Sequence, residues 1–121
     1  MVAESLRTDE RQRFLFGFGR DYDDGRGIVT HSLVGCTSWH SYGLAVDVVS
    51  RSTHWDAPNA FWSALGAAAA VHGLTWGGDW PTFPDKPHLQ FAPMPDSPSP
   101  AIITTYQASG REAVWLEVAA V

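Results

Sequence analysis

The 121-residue chain carries a net charge of −5, with 45% hydrophobic and 17% charged residues, the composition of a folded domain rather than a disordered one. The acidic balance argues against nucleic acid as a partner, since its binders gather Lys and Arg on one face. A single cysteine excludes an internal disulfide, and no apolar run or basic amphipathic stretch suits a membrane span or surface.

The length fits one domain over residues 1–121, expected to be a monomer. MVAESLRTDERQ opens the chain without the apolar core of a secretory signal, so synthesis in the cytoplasm is expected. A first helix is predicted over Thr8–Arg20, with Thr8 as N-cap, Asp9 and Glu10 at the positive end, and Leu15 and its Phe neighbours as the apolar face. Asp21–Gly27 is a polar turn.

LAVDVV (Leu44–Val49) is short and β-branched, which favours a strand. Alternation then puts Leu44, Val46 and Val48 on one face and Ala45, Asp47 and Val49 on the other. A helix from Pro58 to His72 follows, stopped by Gly73, with Phe61, Leu65 and Ala69 packing on the sheet. HLQF (His88–Phe91) is a second strand, with His88 and Gln90 sharing a face. Ser99 and Pro100 open a helix that Gly110 closes, and Arg111–Val121 form a last helix.

With the apolar strand faces against the helices, Asp47 and His88 both project to the opposite side. His40, across the Gly43 turn, leans over the same surface. Two His and one carboxylate suit a zinc site with an open position, whereas calcium or magnesium would require mostly oxygen ligands. Asp85 is the candidate general base. A regular strand would turn Asp85 and His88 to opposite faces, but Pro84 and Pro87 predict an irregular lead-in that lets both face the metal. From spacing alone, a metal site and a plain turn running into a core strand both stay open. A Cys36–His40 nucleophilic pair oriented by Asp47 is disfavoured, because nothing supplies an oxyanion hole or activates the thiol. His31, His54 and His72 lack partners at ligand spacing and read as ordinary structural or surface residues.

The pattern Ser38-x-His40-x-x-Gly43-x-Ala45-x-Asp47, followed by Asp85-x-x-His88, resembles the zinc peptidases of bacterial cell walls. These are the VanY-like D-Ala-D-Ala carboxypeptidases, the D-Ala-D-Ala dipeptidases and the L-alanyl-D-glutamate endopeptidases, phage endolysins among them. GLTWGGDW (Gly73–Trp80), DKPHLQ and the Asp at the base position are similar to the endopeptidase branch. LRTDERQRFLFGFGR resembles the family's arginine-bearing segment.

The resemblance implies an α+β fold like that of the hedgehog domain and D-Ala-D-Ala peptidases, a small antiparallel sheet with helices on one face and a zinc cleft on the other. It implies that His40, Asp47 and His88 hold Zn2+, that Asp85 is the base and that Arg7 steadies the scissile carbonyl. Ser38, Trp80 and Asp79 are expected near the substrate, with Asp79 alternatively orienting a ligand His. The implied substrate is the peptidoglycan stem peptide, cut between L-Ala and D-Glu, with action on the wall after release as an endolysin. A D-Ala-D-Ala carboxypeptidase and a non-catalytic zinc-containing wall-peptide module are the alternatives.

Overall fold

Residues 1–17, 20–21, 28, 38–92 and 94–119 are described by the computed structural model. They fall into two compact units, Met1–Ser5 with Leu44–Pro95 and Leu6–Gly43 with Asp96–Val121.

The first unit is built on an antiparallel sheet of four strands in the order β1-β2-β4-β3. They are β1 (Val2–Glu4), β2 (Ala45–Val48), β3 (Leu74–Trp76) and β4 (His88–Phe91). Both strands expected from the sequence are present; β1 and β3 are too short for alternation to announce them. Pairing of Ala45 with Gln90, Val46 with Leu89 and Asp47 with His88 fixes the β2–β4 register. One face therefore carries Ala45, Asp47, His88 and Gln90, and the other carries Val46 and Leu89.

Helix α2 (Asn59–Val71) matches its expected span. Pro58, extended at φ −67 and ψ 158, stands as N-cap, where its missing N–H costs no intrahelical bond. The C-terminal carbonyls of Ala68 and Ala69 accept from the His72 N–H, and Gly73 takes the left-handed φ of +70 that ends the helix. The helix meets β3 through Gly66, where a Cβ would run into the Trp76 ring. Trp62 and the expected Ala69 are buried, whereas the expected Phe61 and Leu65 are half-buried.

The second unit holds α1 (Asp9–Gly17), α3 (Pro100–Ser109) and α4 (Arg111–Ala119). Thr8 caps α1 as expected, its hydroxyl accepting from the Arg11 N–H at 3.1 Å. The helix is described over Asp9–Gly17, and Arg20 lies in a turn, its N–H donating to the Gly17 carbonyl at 3.0 Å. Phe14 is exposed, with the Arg11 guanidinium 5.3 Å over its ring. Ser99 caps α3 through the Ile102 N–H at 3.2 Å, and Gly110, at φ +87, separates α3 from α4. His31, Cys36 and most of the polar stretch after α1 lie outside the described residues.

Candidate metal centre

The β2–β4 register places Asp47 directly opposite His88. The two side chains leave the same face, and His88 Nδ1 lies 3.7 Å from Asp47 Oδ1. Both are buried, at 8% and 6% exposure. Ala45, Val49 and Gln90 on this face are buried too, whereas Leu44, Val46 and Val48 are only half-buried. The expected split of residues between faces holds. The face bearing the polar groups, however, is the better shielded of the two, so the ligands do not line an open surface.

Asp85 enters from the irregular lead-in to β4. The His88 N–H donates to the Asp85 carbonyl at 3.1 Å and closes a tight turn. That turn brings Asp85 Oδ2 within 3.9 Å of His88 Nδ1, so base candidate and ligand candidate face the same way. Gly77 anchors the lead-in, its carbonyl accepting the Asp85 N–H at 2.9 Å. A Cβ at Gly77 would stand 2.5 Å from the Asp85 carbonyl oxygen and 3.0 Å from His88 Cβ. Only glycine allows this approach without displacement.

His40 lies in a 3-10 turn, Trp39–Tyr42, whose backbone carbonyls are held one after another. The His40 carbonyl accepts from the Arg7 N–H at 2.9 Å. The Ser41 carbonyl accepts from Arg111 Nε at 3.0 Å, and the Tyr42 carbonyl from Trp115 Nε1 at 2.6 Å. Tyr42 is fully buried and meets Tyr106 edge-on at 5.0 Å between ring centroids. Ser38 caps the turn, its Oγ accepting from the His40 N–H at 3.3 Å. Gly43, at φ +70, ends it and sends the chain into β2.

His40, Asp47 and His88 are each buried, and each offers one atom that could ligate a metal ion. Two imidazole nitrogens and one carboxylate oxygen are the donor set that zinc accepts with a position left for water. Zinc bonds of about 2.0–2.2 Å would set two such atoms roughly 3–3.5 Å apart, and the 3.7 Å between His88 Nδ1 and Asp47 Oδ1 fits that spacing. Burial pulls the His88 pKa down, but the hydrogen bond and charge of Asp47, the charge of Asp85 and the hydrogen bond to Gln90 outweigh it. They hold the ring above its ordinary 6.5.

Trp80 is half-buried, with its ring centroid 5.0 Å from that of His88. Asp79 is exposed, in the 3-10 turn Gly77–Asp79. Ser38, expected near substrate, holds the His40 turn by its hydroxyl. Arg7 is 8% exposed and adjoins His40 through the backbone. Four contributors carried no sequence-level assignment. Gln90 was detectable as the next residue on the His88 face, and Gly77 as a glycine between two tryptophans. Arg111 and Trp115 act on the turn from about seventy residues away and left no local signal.

Residues 34–91 match a protein family described as D-alanyl-D-alanine carboxypeptidase. The peptidoglycan L-alanyl-D-glutamate endopeptidase CwlK of Bacillus subtilis (strain 168) is 33% identical, aligned over 77% of this chain and 60% of its own length. The L-alanyl-D-glutamate peptidase of Listeria phage A118 is 32% identical, over 75% of this chain and 30% of its own. The chain thus spans less than two thirds of either curated relative. Among solved structures, the Serratia marcescens L-Ala D-Glu endopeptidase ChiX is similar, with a TM-score of 0.53 and 29% identity over 75% of this chain and 65% of that one.

Proposed function

We propose that the chain, whose residues 34–91 match that peptidase family, is a zinc peptidase cutting the L-alanyl-D-glutamate bond of the peptidoglycan stem. The facing of Asp47 and His88 across the β2–β4 pair, with Asp85 beside His88, carries this reading. The names of the two curated relatives and of the structural neighbour support the choice of bond.

His40, Asp47 and His88 would hold the ion. Zinc, when bound, acts as a Lewis acid on the scissile carbonyl and lowers the pKa of a bound water toward about 7. Asp85 takes the proton from the attacking water and returns it to the departing amine, as its place next to His88 allows. Arg7 steadies the negative charge that develops on the carbonyl oxygen, help that is typically worth several kcal/mol. Trp80, beside the His88 ring, and Asp79 are the candidates for substrate contact. Ser38 acts through the turn it caps. The substrate places the site of action at the cell wall, and among the described residues no helix is long and apolar enough to cross a membrane.

The family description favours a second reading, removal of terminal D-Ala by a carboxypeptidase. The deciding experiment incubates the zinc-loaded protein with peptidoglycan and identifies the released termini by mass spectrometry, with Asp85→Asn as control. New D-Glu amino termini, absent from the control, are expected. Released D-Ala would move the enzyme to the carboxypeptidases. Bound zinc without any cleavage would overturn the enzymatic reading and favour a wall-peptide binding module.

A further inference from the structure

The reactions above leave Gln90 without a part, although it is 1% exposed and lies on the ligand face of β4. Burying an amide is costly unless both of its ends are satisfied. Here they are. Gln90 Nε2 donates to the Pro95 carbonyl at 3.0 Å, and Gln90 Oε1 lies 2.8 Å from His88 Nε2.

The direction of this chain of bonds is set at its far end. A backbone carbonyl only accepts, so the amide must present its NH2 to Pro95 and its oxygen to His88. That oxygen also only accepts, so the proton between the two side chains belongs to the ring. Neutral imidazole carries one N–H; with that proton on Nε2, Nδ1 is left with a bare lone pair. Nδ1 is the atom that faces Asp47 Oδ1 at 3.7 Å and Asp85 Oδ2 at 3.9 Å. The opposite tautomer would set the Nε2 lone pair against the amide oxygen. Turning the amide to relieve that would set its oxygen against the Pro95 carbonyl.

We infer that Gln90 is a positioning residue, whose amide, oriented by the Pro95 carbonyl, fixes His88 as the Nε2–H tautomer and so presents Nδ1 as the ligand atom. The inference rests on the proposed zinc site for its consequence, though not for its geometry. Partners that orient a ligating His in this way commonly change metal affinity 10- to 100-fold when removed.

The test uses the full chain and the variant Gln90→Met, close in shape but without the acceptor. The ring ¹⁵N shifts of His88 are recorded on metal-free protein, at a pH where the imidazole is neutral. Zinc affinity is then measured by competition with a chromophoric chelator. In the wild type, Nε2 should read as protonated and Nδ1 as bare. Gln90→Met should lose that preference and bind zinc about 10- to 100-fold more weakly. A wild-type ring protonated at Nδ1 would overturn the inference, as would a Gln90→Met protein with unchanged tautomer and affinity. Failure of the wild type to bind zinc would overturn the metal reading alone, and the tautomer measurement would still decide the role of Gln90.

Discussion

At the scale of single residues, two neighbouring side chains at the centre have different parts and should fail differently. Asp85 is proposed to move a proton and His88 to hold the ion. Asp85→Asn should therefore keep zinc by elemental analysis while losing activity by about 10²–10⁴-fold, the usual contribution of a general base. His88→Ala should lose both zinc and activity. Near-normal turnover in Asp85→Asn would remove the base assignment. The raised His88 pKa carries its own signature in the metal-free protein. A pKa raised by folding favours the folded state at low pH, fully below the ordinary 6.5 and progressively less as pH rises through the folded value. The stability difference between metal-free wild type and His88→Gln should therefore shrink with rising pH across that window, as read by thermal melts. A difference that grows would show that the Asp47, Asp85 and Gln90 contacts do not outweigh burial. Zinc competes with the same proton, so its affinity should rise as pH increases.

Among the elements, the two segments that present ligands are fixed by quite different means. The lead-in to β4 depends on the bare backbone of Gly77, against which the Asp85 carbonyl packs. Gly77→Ala must push that segment away, and overpacking of this kind typically costs about 1–3 kcal/mol. Activity should fall further than stability, because Asp85 moves; equal activity with lowered melting temperature would show that the lead-in relaxes without displacing the base. The His40 turn depends on side chains reaching its carbonyls from α4. Trp115→Phe keeps most of the ring but withdraws the N–H from the Tyr42 carbonyl. A cost of about 1–3 kcal/mol is expected for a carbonyl left unsatisfied, measured by denaturant unfolding. The sequence announced the capped helices well, because Thr8, Ser99, Gly73 and Gly110 are local signals that act within one turn. It did not announce the three-residue β1 and β3, which exist only because longer strands pair with them.

For the whole molecule, the proposed zinc site predicts that metal and folding are linked, since ligands drawn from separate segments are not assembled in an unfolded chain. Zinc at a hundred times its dissociation constant should add about 2.7 kcal/mol of stability, and chelation should remove it; a melting temperature indifferent to zinc would count against the site. The sequence by itself determined the strands carrying Asp47 and His88, the capped helices, and the sharing of one face by His88 and Gln90. It did so because side-chain alternation and capping are local rules that need only a few neighbours. Pro84 and Pro87 likewise foretold the irregular backbone that lets Asp85 face His88. Only the tertiary structure decided that the polar face of the sheet is the shielded one, that Arg111 and Trp115 hold the His40 turn, and that the Pro95 carbonyl orients Gln90 toward His88. Periodicity records which residues lie together on a face. What covers that face, and which distant donor reaches which carbonyl, is set by how the chain returns upon itself.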